Sequence, residues 1–314
     1  MYHIIINPAS RSGKGRKIWE QQVAPILKQE QIPYKPYFSQ KTGDISKFVA
    51  EILTQNVERP LRLIILGGDG TINEALQGMP DSTEVILGYI PTGSSNDLAR
   101  DLGIPKNPSA ALKLILHTGH ARPMDLAAIS YGDNTLRRFA VSCGIGYDAA
   151  VCEEVARSKL KKAFNKIGLG KLTYLGIALK QLFATKRVTG QLTLDDNDPI
   201  TIEKMLFTTG MVHRYEGGGF MFCPKANDND GILDLCVAGN ISKLLILFAL
   251  PTAFKGRHYR FKGITAYQAK QFRMETSSPM WIHTDGEVIN CGTTLTVTCL
   301  PDAIQIMVPP TKKP

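Results

Sequence analysis

The 314-residue chain is 43% hydrophobic and 21% charged, the balance of a globular protein with room for two domains and a sizeable core. Its formal net charge is +9, yet its longest apolar run, Leu244 to Pro251, falls far short of the roughly 20 residues a spanning helix needs, which excludes an integral helical membrane protein. Its six cysteines (143, 152, 223, 236, 291 and 299) form no C-x-x-C pair, so they read as free thiols in a reducing cytoplasm, not as a zinc or redox site.

Tyr2 to Ile6 reads as a first strand, closed by Asn7-Pro8; the apolar stretch Ile4–Ile6 is too short for a signal-peptide core. A small, basic loop from Ala9 to Gly15 leads into a helical pattern from Arg16 to about Gln29. Tyr34 to Phe38 is a second strand, and Thr42-Gly43-Asp44 opens a helix from about Ile45 to Gln55, with Thr42 a candidate cap. Leu63 to Leu66, four aliphatic residues bounded by Gly67, has the pattern of a parallel strand buried on both faces. Gly67-Gly68-Asp69-Gly70-Thr71 follows, then a helix-compatible run from Ile72 to Gln77 that stops at Gly78. A strand, a glycine turn and a helix start together present backbone N–H groups and a positive dipole end, so the expected ligand is an anion. The dinucleotide spacing G-x-G-x-x-G is not met here, nor the Walker spacing at Ser10 to Gly15. Val85 to Ile90 is a fourth strand. Pro91-Thr92-Gly93-Ser94-Ser95-Asn96-Asp97 ends it with a second glycine and hydroxyl turn, as two turns lining one crevice require.

From about Ala127 the helical alternation gives way to short strand-like runs: Leu126–Ile129, Arg138–Ser142, Gln191–Leu194, Thr201–Thr208, Ile232–Val237 and Thr294–Cys299. That shift places a domain boundary near residue 126 and a mostly β second domain after it. Nine Lys/Arg and no acid lie between Arg157 and Arg187, interleaved with Leu172, Leu175, Leu179 and Leu182-Phe183 at helical spacing. Such a helix suits a membrane interface and, equally, a core-facing stripe with a polar outer face. A second acid-free run extends from Ala238 to Met274. Basicity alone would suit nucleic acid, but no recognition motif accompanies it. Asp228-Asn229-Asp230-Gly231-Ile232-Leu233-Asp234 is not an EF-hand, because Ala226 and Val237 would occupy its first and last ligand positions. Asp285-Gly286-Glu287 taken alone reads as a hairpin turn carrying two acids.

Gly67-Gly68-Asp69-Gly70-Thr71 with Asn73-Glu74 resembles the nucleotide signature of the soluble diacylglycerol-kinase-like lipid kinases, relatives of the sphingosine and ceramide kinases. NAD kinases and phosphofructokinases carry related turns. The loop from Asn7 to Lys14, the Gly93–Asp97 turn, Ser142–Asp148, Gly217–Asp234 and Asp285–Glu287 resemble the narrower family. The resemblance implies an α/β plus all-β fold: a Rossmann-like nucleotide domain of NAD-kinase/diacylglycerol-kinase type over 1–126, to which 300–314 returns, and a lipid-substrate β-sandwich over 127–299. It implies ATP held around Asn7, Ser10, Thr42, Gly67, Gly68, Asp69, Gly70, Thr71, Asn73, Glu74, Gly93, Ser94, Asn96 and Asp97. Asp97 and Asp125 match carboxylates that hold the site by hydrogen bonds. Mg2+ is implied twice, at the β/γ-phosphates beside Asp69 and as a structural ion on Asp230 with the Asn227 and Ile232 carbonyls. Asp285 takes the role of base, and Glu287 shares it or orients metal and water. The loop after Pro8 is one residue longer than the family pattern, and Ser94 stands where that pattern has threonine. The implied activity is phosphoryl transfer from ATP to a lipid hydroxyl, first diacylglycerol, with phosphatidylglycerol, sphingoid bases and isoprenoid alcohols as other acceptors. A soluble-substrate kinase of the NAD kinase type is the alternative. The implied setting is cytoplasmic and peripherally membrane-associated, with a lipid at the membrane surface as partner, a second copy of the chain as a further candidate, and no nucleic acid.

Overall fold

The computed structural model describes residues 1–55, 59–79, 85–132, 135–158 and 170–310, with side chains from 176 in the last group. Lys159, Lys161, Lys162 and Lys166 of the basic block, and residues 311–314 of the tail from Pro309 to Pro314 that the sequence reads as disordered, lie outside the described residues. The chain divides into two compact units, Met1–Leu126 with Pro301–Pro314, and Ala127–Leu300.

The first unit is built on a parallel sheet. β1 (Tyr2–Ile6) pairs on one side with β2 (Tyr34–Phe38) and on the other with β3 (Leu61–Gly67). β4 (Val85–Pro91) pairs with β3, and the far end of β14 (Glu287–Val308) aligns Gln305 and Ile306 with Ile86 and Leu87. Ile4 to Ile6 and Leu63 to Leu66 are all 0% exposed, so their unalternating aliphatic runs are covered on both faces. Two helices differ from the sequence reading. The helix expected from Arg16 to Gln29 is Gly15–Ile18, a π-turn Trp19–Val23, and Ala24–Gln29, because Pro25 offers no N–H and the Ala24 amide reaches back to the Trp19 carbonyl instead. The helix after the glycine turn spans Asp69–Leu76, starting two residues before Thr71: Gly68 is its extended N-cap, and Asp69 occupies a first turn that favours a negative charge.

The second unit is antiparallel, in the order β9-β8-β13-β7-β10-β11-β12, with β14 also paired to β13. The strands are β5 (His120–Tyr131), β6 (Thr135–Phe139), β7 (Ser142–Gly146), β8 (Val188–Leu194), β9 (Ile200–Met205), β10 (Phe207–Met211), β11 (Leu233–Ala238), β12 (Ile264–Ala269) and β13 (Gln271–Thr284). The run read as Leu126–Ile129 is thus the middle of a longer strand. The Thr201–Thr208 run breaks at Leu206, whose backbone groups bond Ala238 and Tyr147 instead of continuing one ladder. The Arg138–Ser142 run breaks at Ala140 and Val141, whose amides turn to the Asp285 carboxylate. β12 and most of β13 escaped the sequence reading because their alternation is irregular. β13 changes neighbours, from β8 at Phe272–Thr276 to β7 at Ile282–Thr284, across a register shift that contains Pro279. The unit also holds helices Tyr147–Arg157, Gly170–Ala184 and Lys243–Ala253. Among the described residues no helix is long and apolar enough to cross a membrane.

Candidate active site

In the first unit, the carboxyl ends of β1, β3 and β4 bring the two glycine turns into contact. The Thr92 N–H donates to the Gly67 carbonyl at 2.7 Å, and the Asn7 N–H donates to the Leu66 carbonyl at 3.0 Å. A Cβ on Gly68 would stand 2.9 Å from Gly93 Cα, and one on Gly93 would stand 2.7 Å from Gly68 Cα. Neither residue has a positive φ, so both glycines are there because the backbones meet. Asn7 Nδ2 donates to Thr71 Oγ1 at 3.0 Å, and Thr92 Oγ1 donates to Ser10 Oγ at 2.8 Å. Asn96, in the left-handed region at φ 50, turns its Oδ1 back onto the Gly93 amide. Asp69 links two helix starts: its Oδ2 accepts the N–H of Asp97, the first residue of helix Asp97–Asp101, at 3.2 Å. Asp97 is buried and pairs with Arg100 at 2.7 Å.

The structure therefore gathers Asn7, Ser10, Gly67, Gly68, Asp69, Thr71, Gly93, Asn96 and Asp97, with Gly70 in the first turn of the same helix. One expected residue is engaged elsewhere. Glu74 uses its carboxylate on the Gly43 and Ile45 amides at 2.6 and 3.1 Å, steadying the start of helix Asp44–Gln55. Thr42 and Ser94 are exposed, and Asn73 is wholly buried. Asp125 is buried and accepts the Asp302 N–H, fixing the chain where it re-enters this unit. Sequence reading missed Tyr89 and Thr92. The Tyr89 hydroxyl donates to Asn96 Oδ1 at 3.3 Å and reaches Asp69 Oδ1 at 3.5 Å. Burial, reinforced by the Asp69 charge, pushes this phenol well above its ordinary range and keeps it a donor. Its signal was faint, one hydroxyl within an apolar strand.

In the second unit, Asp285 and Gly286 (φ 48 and 81) form a two-residue hairpin between paired Thr284 and Glu287. The Asp285 carboxylate accepts three backbone N–H groups, from Ala140 at 3.1 Å, Val141 at 2.8 Å and Ser142 at 3.1 Å. Glu287 is half-exposed and takes a 2.8 Å ion pair from Arg137, whose Nε also donates to Thr284 Oγ1. Asp148, Glu216 and His283 form a second, unforeseen group, with ligand atoms within 4.8 Å of one another. Gly144 makes room for it: a Cβ there would stand 1.9 Å from Asp148 Oδ2 and 2.6 Å from His283 Nε2. His283 Nε2 lies 3.1 Å from Asp148 and 3.3 Å from Glu216. That spacing suits a metal ion and equally an imidazolium. Burial alone would lower the His283 pKa, but the charges of Glu216, Asp148 and Asp285 outweigh it and push the ring up to about 9. The Gly286 N–H, 3.3 Å from Nδ1, favours the neutral ring, but two ionised acids at contact distance are the stronger influence.

Residues 1–129 match the diacylglycerol kinase catalytic domain, and residues 141–308 match the YegS C-terminal NAD kinase beta sandwich-like domain. The chain belongs to the diacylglycerol-kinase-like family. It is 29% identical over 248 residues to a diacylglycerol kinase of Mycobacterium tuberculosis, covering 79% of this chain and 76% of that one. To a diacylglycerol kinase of Bacillus subtilis it is 28% identical over 288 residues, covering 90% and 88%. A crystal structure from Bacillus anthracis str. Sterne, 23% identical, superposes with a TM-score of 0.76 over 98% of this chain and 95% of its own. That likeness speaks for the fold, which is the expected α/β domain with a C-terminal β-sandwich.

In the loop after Pro8, Arg11, Ser12 and Gly13 are consecutive residues in the left-handed region, at φ 51, 57 and 88. For the non-glycine pair this costs about 1–2 kcal/mol per residue. The loop expected to hold a structural Mg2+ has a donor set that fits a hard cation. Asn227 and Asp230 are exposed, and Asp230 Oδ1 accepts the Ile232 N–H at 3.0 Å. Beside them Asp234 has a buried Oδ2 with no hydrogen-bond partner among the described residues. Burial pushes its carboxyl up to about 6, helped by the Asp230 charge against a Gln268 hydrogen bond, a penalty that a bound cation relieves.

Two outcomes are expected. Gly93→Ala forces apart backbones already in contact, so it lowers stability in urea by about 1–3 kcal/mol and abolishes binding of a fluorescent ATP analogue; unchanged binding would refute a shared phosphate site. His283 titrates higher folded than unfolded, so its stabilisation is complete below about pH 6.5 and is lost as pH rises through about 9. On the order of 3 kcal/mol should disappear across that window in urea melts, and His283→Gln should flatten the profile.

Proposed function

We propose that the protein is an ATP-dependent lipid kinase that transfers the γ-phosphoryl group to a lipid hydroxyl, with diacylglycerol as acceptor and phosphatidic acid as product. The observation that carries the reading is the contact of Gly68 with Gly93, which leaves two strand ends bare of side chains where a triphosphate needs main-chain donors. Family membership and the names of the relatives, diacylglycerol kinases of two bacteria, support the acceptor.

In this reading the N-terminal amides of helix Asp69–Leu76 and the Gly93–Asn96 turn hold the phosphates, and Asn7, Ser10, Thr71 and Thr92 hold those turns to each other. Tyr89 and the Asp97 amide fix the Asp69 carboxylate, which stands ready to organise Mg2+. The metal supplies neutralisation of the phosphate charge. The bond from the γ-phosphorus to the β,γ-bridging oxygen breaks as the lipid oxygen bonds to phosphorus. The hydroxyl proton passes to Asp285, and ADP leaves with the bond electrons. Glu287, directed by Arg137, orients the hydroxyl or its water.

The discriminating variant is Asp285→Asn. Asparagine tolerates the left-handed turn conformation, and its Oδ1 can accept the Val141 and Ser142 N–H groups, but its NH2 group opposes the Ala140 N–H and it cannot take a proton. In a radiolabelled ATP assay with diacylglycerol in mixed micelles, kcat should fall about 10²–10⁴-fold with the KM for ATP little changed, while the lost charge-assisted bond lowers stability by about 1.5–3 kcal/mol. Full turnover by Asp285→Asn would remove Asp285 from the chemistry. Phosphorylation of NAD by the wild type, with none of any lipid in a panel, would overturn the lipid reading.

A further inference from the structure

Helix Lys243–Ala253 is apolar on both sides. Ile246 and Ala249 are buried in a core cluster and Ala253 is buried as well, whereas Leu244 and Phe248 are 62% and 69% exposed. Phe254 just beyond it is 52% exposed, and at the end of helix Gly170–Ala184 Leu179 and Phe183 are exposed as well. The two helix ends are joined: Lys243 Nζ donates to the Phe183 and Thr185 carbonyls at 2.7 and 2.6 Å, and Arg187 donates to the Ile241 carbonyl at 3.2 Å. Among the described residues, six of the eight exposed large apolar side chains belong to this one region, which singular scatter does not produce. Stability does not call for them, since the inner side already fills the core.

The apolar face continues at both ends into positive charge. Lys186 and Arg187 follow Phe183, and Lys255, Arg257, Arg260 and Lys262 follow Phe254; all are exposed, and no acid occurs from 238 to 274. A second copy packed symmetrically on this face would bring its basic margins against these, a like-charge arrangement that disfavours self-association. An anionic bilayer complements both features, accepting aromatic and leucine side chains at the acyl boundary and offering phosphates to the lysines and arginines.

We propose that the face formed by helix Lys243–Ala253, Phe254 and the end of helix Gly170–Ala184 docks the protein on anionic membranes. The inference rests on the lipid-kinase reading for its purpose, because a bilayer-resident acceptor must be reached at the membrane surface, but its test does not depend on turnover. The full chain is sedimented with phosphatidylcholine vesicles containing about a third phosphatidylglycerol, and with pure phosphatidylcholine vesicles. Wild type should bind the mixed vesicles at least tenfold more strongly than the neutral ones. A Leu244→Glu/Phe248→Glu variant should lose at least tenfold in binding to mixed vesicles while keeping the wild-type melting temperature and activity on a monomeric short-chain diacylglycerol. Lys255→Glu/Arg257→Glu should abolish the preference for anionic lipid. Undiminished vesicle binding by the apolar variant overturns the proposal. So does a wild-type dimer, seen by light scattering, that the same variant splits. Vesicle binding as expected without turnover of any diacylglycerol leaves the docking face standing and removes the kinase reading instead.

Discussion

The glycine-turn end of the first unit depends on one steric constraint, the approach of Gly68 to Gly93. Two strands in a parallel sheet fix the spacing of their ends, and the chain must leave each end within that spacing. With a side chain at either position the turns could not both close, because a Cβ on each glycine would meet the other's Cα at under 3 Å. The Thr92-to-Gly67 hydrogen bond follows from that closeness, as does the reach of Asp69 to the Asp97 amide. Asp69 thereby satisfies an unpaired donor at the start of a second helix while sitting in the first turn of its own, where the dipole favours its charge. The carboxylate is a strut for both helices before it is anything else.

Asp285 is the counterpart in the second unit. Its three amide partners are consecutive residues at the break between β6 and β7, where no ladder partner takes their N–H groups. Charge-assisted bonds of this kind contribute about 1.5–3 kcal/mol each, enough to hold a non-glycine residue at φ 48. The break, the left-handed turn and the fixed carboxylate are thus one feature. Arg137 extends it by tying Thr284 and Glu287 on either side of the turn.

Much of this was legible in the sequence for identifiable reasons. The β1 and β4 positions and the β3 core follow from aliphatic runs closed by Asn-Pro, proline or glycine, β2 from the aromatic residues of Tyr34–Phe38, and the site turns from glycine and hydroxyl residues placed directly after the aliphatic runs. The less legible parts have long-range causes. Nothing local says that Glu74 is engaged away from the glycine turn, since it answers to amides of Gly43 and Ile45, about thirty positions earlier in the chain. His283 reads as the flank of an acidic turn until β7 lays Gly144 opposite it and helix Tyr147–Arg157 brings Asp148 to its edge. β13 hides because each half answers to a different neighbour, so no single alternation runs its length.

The two acids of the Asp285–Glu287 turn are held by forces of different quality, and that difference bears on which one handles the proton. The Arg137–Glu287 pair is half-exposed, and such pairs contribute about 0–1 kcal/mol and leave the side chain free to re-orient. Asp285 is fixed through three main-chain donors at the junction of β6 and β7, which cannot move without disturbing those strands. A proton-transfer group gains from a fixed position, because misplacement by about 1 Å can cost a hundredfold in rate. A group that must orient a variable lipid hydroxyl or a water gains from freedom. In the proposed phosphoryl transfer the held acid would therefore suit the base and the looser one the orienting role, a division that follows from how each carboxylate is anchored.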